Sequence, residues 1–98
     1  MPETNVTNSE KLIMPNQAQI DIENFAFNPS TAYIATGDTV TWTNEDSSDH
    51  TATSDTGNEI ASVTLSKDKS YDHTFSAQGT YAYHCALHPG MRATIVVS

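Results

Sequence analysis

From Gln19 onward, apolar and polar positions alternate with a period of two, the repeat of a half-buried strand. Ile20 and Ile22 begin the pattern and Phe25 and Phe27 continue it. The register slips near Asn24, a shift that a β-bulge would produce. Tyr33-Ile34-Ala35 predicts a second short strand, ended by the turn signal Gly37-Asp38. Thr39-Val40-Thr41-Trp42-Thr43 alternates cleanly and predicts Val40 and Trp42 facing inward. Residues 44–49 (NEDSSD) form a polar loop ahead of His50. Ile60 to Leu65 and Tyr71 to Phe75 are further expected strands. Gly79 opens another over Thr80 to His84, and Arg92 to Val97 closes the chain. Roughly seven or eight short strands without a helical period predict an all-β fold, an antiparallel Greek-key β-sandwich. Residues 1–17 are polar and aperiodic and are expected to be a flexible leader or tether, leaving 18–98 as a single domain.

Composition narrows the partners. The chain has 98 residues, enough for one domain. Its net charge of −8 comes from 12 acids against Lys11, Lys67, Lys69 and Arg92. Nucleic acid and anionic membrane call for clustered Lys and Arg, so neither is an expected partner. No apolar run approaches the ~18 residues of a membrane span. One cysteine rules out an internal disulfide, and in an exported chain an unpaired cysteine acts as a reactive thiol or a metal ligand. The expected location is extracytoplasmic, in a periplasm or cell-surface space, with any signal or anchor outside this sequence.

The candidate chemistry lies in Tyr83-His84-Cys85-Ala86-Leu87-His88-Pro89-Gly90-Met91. A thiolate, an imidazole and a thioether at positions 85, 88 and 91 form a soft donor set, which suits copper better than calcium or magnesium. Pro89-Gly90 supplies the bend that turns the three toward one point. His50, just past an inward-facing strand, is the histidine placed to close the site, and two histidines, a cysteine and a weak axial methionine are the blue-copper pattern. Alternation puts Tyr81, Tyr83 and Cys85 on the core face and turns His84 outward. His73 shares a face with Tyr71 and Phe75, which gives it a structural role at the core edge. Plainer roles compete at each position: Cys85 as a small buried hydrophobe, Met91 as core packing, His50 as a solvated loop residue.

Two segments resemble the cupredoxins, small type 1 copper proteins, and within them the plastocyanin and amicyanin branch. One is Phe25-Ala26-Phe27-Asn28-Pro29 followed by Gly37-Asp38-Thr39-Val40-Thr41-Trp42-Thr43-Asn44 and His50. The other runs from Gly79 to Arg92. The resemblance implies one copper ion held by His50, Cys85 and His88 with Met91 as the axial ligand. It also implies one-electron transfer between Cu(II) and Cu(I). The apolar surface around His88 is the expected electron port, with redox partner proteins docking near Leu87, His88, Pro89 and Gly90. Three positions depart from the pattern. Thr51 stands where Asn is common, Ala86 where Ser or Thr is common, and Leu87 where Pro is frequent. The backbone N–H of Thr51 is then the expected donor to the Cys85 sulfur.

Other functions stay open at this level. Ala86, Leu87 and Gly90 would leave the metal less covered, which suits small-molecule redox chemistry, for example on nitric oxide. Copper carriage and a metal-free adhesion module are further alternatives. His88 is expected nearest the surface, in an apolar patch with Leu87, Pro89, Gly90 and Met91. The acids Glu45, Asp46, Asp49 and Asp55 flank His50 and would attract a cationic partner or the copper ion, or simply form a solvated loop.

Overall fold

A computed structural model describes residues 16–98. Apart from its last two residues, the expected leader lies outside them. Eight strands follow in order: β1 (Gln17–Glu23), β2 (Ala26–Asn28), β3 (Thr31–Ile34), β4 (Thr39–Asn44), β5 (Thr53–Ser54), β6 (Ser70–Thr74), β7 (Gly79–His84) and β8 (Arg92–Val97). They build two four-stranded sheets, ordered β2-β1-β4-β6 and β3-β8-β7-β5. Among the described residues no helix is long and apolar enough to cross a membrane.

The period-two pattern becomes the core. Ile20 and Ile22 on β1, Val40 and Trp42 on β4, Tyr83 on β7 and Ile95 on β8 are fully buried. Each such side chain contributes roughly 1.5–3 kcal/mol through removal from water. Trp42 and Tyr83 meet edge to face at the middle of the sandwich, with ring centroids 5.5 Å apart. As expected, Val40 and Trp42 point inward.

Three features differ from the sequence expectations. The sheets are mixed: β1 runs parallel to β4 and β3 parallel to β8. The slip near Asn24 is a hairpin turn, because Glu23 pairs with Ala26 and leaves Asn24-Phe25 as a two-residue loop. Both loop residues have positive φ, 56° and 57°, as the primed turns of tight hairpins require. Ile60 to Leu65 is not a strand. It touches its neighbours through two isolated bridges, His50 with Leu65 and Thr53 with Ala61. Ile60 and Leu65 are buried while Val63 is 77% exposed, so the apolar residues do not alternate and only the two ends of the segment are buried in the core.

β5 fixes the relation between the two connections that carry the candidate ligands. It pairs antiparallel with β7, Thr53 opposite His84. The residues just before β5 therefore lie beside those just after β7, which brings the segment ending in Thr51 and Ala52 against Cys85 and Ala86.

Candidate metal centre

The pairing of β5 with β7 brings His50 and Cys85 together across 35 residues of sequence. Cys85 Sγ lies 3.7 Å from His50 Nδ1 and 3.6 Å from His88 Nδ1. All three donor atoms fall within 4.8 Å of one another. An ion with bonds of about 2.3 Å to sulfur and about 2.0 Å to nitrogen, opening at about 120°, would separate sulfur and nitrogen by about 3.7 Å. One thiolate and two imidazoles at this spacing therefore fit a single ion with trigonal donors.

His50 is fully buried, and its orientation is set by Asp46. The Nε2 to Oδ2 distance is 2.8 Å. Partial burial pushes the Asp46 carboxyl up in pKa. The N–H of Phe25, His50 and the N–H of Asn24 outweigh that and hold it below the ordinary value. An ionised carboxylate only accepts, so Nε2 carries the proton, and Nδ1 is the ring nitrogen that faces Cys85 and could bind an ion.

Asn44 builds the loop that carries both residues. Fully buried at the end of β4, its Nδ2 donates to the carbonyls of Ser48 (2.9 Å) and Leu65 (2.8 Å). Its Oδ1 accepts the Asp46 N–H at 2.8 Å. The carbonyl of Leu65 also takes the His50 N–H, so the 60–65 segment braces the ligand loop from outside.

The other ligand loop is closed by its own backbone. The N–H of His88 donates to Cys85 O at 3.2 Å, that of Met91 to His88 O at 2.9 Å, and that of Cys85 to Met91 O at 3.1 Å. Gly90 is not among the residues at positive φ, so consecutive turns make the bend without left-handed glycine. Thr51 N–H reaches the Cys85 sulfur at 3.4 Å, as expected. The Thr51 hydroxyl accepts the N–H of Ala86 at 2.8 Å and so ties the two loops together.

The remaining candidates are placed plainly. Met91 is 6% exposed, inside the molecule instead of in a surface patch. His88 is half-buried and is the ligand candidate nearest the surface, beside exposed Leu87, Pro89 and Gly90. His84 turns away to Asp55 (2.5 Å), which also holds Arg92 at 3.1 Å. Asp55 is therefore not part of the centre. His73 pairs with Glu59 at 2.6 Å and stacks on Tyr71, a structural role at the sheet edge.

Two residues of the centre escaped the sequence. Asp46 looked like one acid in a solvated loop, and Phe25 looked like a core strand position. Phe25 instead stands at the hairpin tip, 49% exposed, with its ring centroid 5.1 Å from His50 and 5.0 Å from His88.

Residues 14–98 match the family described as "Copper binding proteins, plastocyanin/azurin family". The chain belongs to the plastocyanin/azurin family of copper-binding proteins. Its cofactor is one copper ion, and His50, Cys85 and His88 are a group that could hold a metal ion. It is 33% identical over 82 residues to amicyanin from Paracoccus denitrificans, covering 80% of this chain and 63% of the relative. Amicyanin-alpha from Methylorubrum extorquens is 30% identical over 83 residues, covering 81% of this chain and 70% of that protein. Thus the match spans under two thirds of the length of the Paracoccus denitrificans protein. Among solved structures, Paracoccus versutus amicyanin superposes with a TM-score of 0.79 at 27% identity, over 88% of this chain and 85% of that one. A purple cupredoxin from Nitrosopumilus maritimus superposes with a TM-score of 0.73 at 31% identity, over 83% and 99%.

Proposed function

We propose that this cupredoxin is a one-electron carrier of an extracytoplasmic space. It would hold copper through His50 Nδ1, Cys85 Sγ and His88 Nδ1, with Met91 as a weak axial ligand. The observation that carries this is the convergence of the three donors, each held by the protein framework. When bound, copper supplies a Cu(II)/Cu(I) couple tuned by the thiolate and its hydrogen bonds.

The chain's own part is to keep the ligands still. Asp46 fixes the His50 ring, Thr51 N–H supports the sulfur, and the three backbone bonds of the 85–91 loop lock Cys85, His88 and Met91 in register. Ligands held this way need little rearrangement when the charge at the centre changes, which keeps the barrier to transfer low. Electrons would pass at His88, since His50 and Cys85 are fully buried and His88 is not. Exposed Leu87, Pro89 and Gly90 form the rim on which a redox partner would dock. Amicyanin relatives support this use of the fold. Open-site chemistry on a small molecule is disfavoured by Phe25, which stands over both imidazoles despite the small side chains of Ala86 and Gly90.

The test is reconstitution of the purified chain with Cu(II). An intense thiolate-to-copper absorption, reversible bleaching by one electron per chain and loss of both in Cys85→Ala are expected. A weak spectrum without that band, or one unchanged in Cys85→Ala, overturns the proposal.

A further inference from the structure

Phe25 occupies a backbone conformation that its side chain does not favour. Among the described residues, the other non-glycine residues at positive φ are Asn16, Asn24 and Asp68, types that tolerate it. A bulky residue stays there only when its surroundings over-determine it, and such residues cluster at functional sites. Here the surroundings are the Asp46 carboxylate. Its Oδ1 accepts the N–H of Asn24 at 2.8 Å, and its Oδ2 accepts the N–H of Phe25 at 2.9 Å. The same Oδ2 takes the His50 Nε2–H at 2.8 Å.

One carboxylate thus orients a ligand ring and pins the turn that presents Phe25. The presented ring lies perpendicular to both imidazoles, at 89° to His50 and 87° to His88. Both contacts have the favoured edge-to-face geometry of aromatic pairs. A ring held there for core burial alone would be hidden, yet half of it meets solvent.

We propose that Phe25 is a positioning cap, latched by Asp46, that rests on His50 and His88 and slows both departure of His88 from the metal and access to Cys85. The metal-bound half of this rests on the copper reading above; the thiol half does not. Phe25→Gly is the informative variant, because glycine accepts the left-handed turn and removes only the ring. Phe25→Leu keeps an apolar side chain without an aromatic edge, and Phe25→Tyr keeps the ring.

In the copper-loaded protein, transfer of Cu(I) to bicinchoninate is followed. In the metal-free protein, reaction of the Cys85 thiol with Ellman's reagent is followed, with thermal unfolding recorded in parallel. Phe25→Gly is expected to speed both reactions by about tenfold or more, the scale of losses when groups supporting metal ligands are removed. Phe25→Leu should be fast as well, and Phe25→Tyr should return to the wild-type rates. Wild-type rates in Phe25→Gly, or recovery by leucine equal to that by tyrosine, overturn the cap. If the wild type shows no thiolate-to-copper absorption, the copper reading fails by itself and the thiol reaction still decides whether Phe25 covers the site.

Discussion

At Asn44 a single buried amide holds two backbone groups of the loop that carries Asp46 and His50, and the Leu65 carbonyl of the neighbouring segment. Asn44→Ala removes all three bonds and leaves the Ser48 carbonyl and Asp46 N–H short of their partners. It is expected to cost about 2 kcal/mol or more in denaturant unfolding and to weaken copper retention. An Asn44→Ala protein as stable as the wild type would show that the loop is held by the His50–Leu65 bridge alone. Tyr83 presents the opposite case. Its hydroxyl and Trp42 Nε1 are both buried without a hydrogen-bond partner among the described residues. Burial pushes the phenol far above its ordinary pKa, and the Trp42 indole, near but not in hydrogen-bond geometry, opposes this only in part. Tyr83→Phe keeps the edge-to-face packing on Trp42 and Phe27 and removes an unpaired hydroxyl. It is expected to raise stability by about 1 kcal/mol, or about 4 °C or more in melting temperature for a chain of this size. A drop in melting temperature would reveal a partner for that hydroxyl.

The elements were legible wherever the chemistry was local. Cys85, His88 and Met91 lie on one turn, so their spacing alone placed them together, and clean alternation put Val40 and Trp42 inside. His50 was reachable because it follows such a strand. The Asp46–Phe25 contact was hidden because it links residues 21 apart through a hairpin whose turn has no glycine. Asn-Gly would have announced that turn; Asn-Phe read as strand instead. Ile60 and Leu65 misled for the converse reason, since apolar end points imitate a strand when the middle is not weighed. The bond between the two ligand connections was also missed, because it uses the backbone of Ala86 and the hydroxyl of Thr51. Thr51→Val removes that tie while keeping the shape. It is expected to cost about 1 kcal/mol and to shift the thiolate-to-copper band, since Cys85 then follows the 85–91 loop more freely. Thr51→Ser should restore both the stability and the spectrum; a serine variant as impaired as valine would show that the hydroxyl bond to Ala86 is not what holds the two loops.

Charge acts on the whole molecule. Acids outnumber bases by eight across the chain, and the end that holds the centre includes exposed Glu23, Glu45 and Asp49. Of the cations, Arg92 is committed to Asp55, and Lys67 donates to the Glu45 carbonyl at 3.0 Å. If electrons pass at His88 as proposed, they would cross a surface that attracts cations and repels anions. The attraction extends about 30 Å at 0.01 M salt and about 8 Å at 0.15 M. Oxidation of the reduced protein by a cationic cobalt complex should slow by about tenfold or more over that range, while oxidation by ferricyanide should quicken. Stopped-flow rates against ionic strength, extrapolated to high salt, compare the two reagents once steering is screened. Parallel salt dependences for both reagents would mean that the net charge lies away from the transfer face, and would move the docking surface off the Leu87-His88 rim.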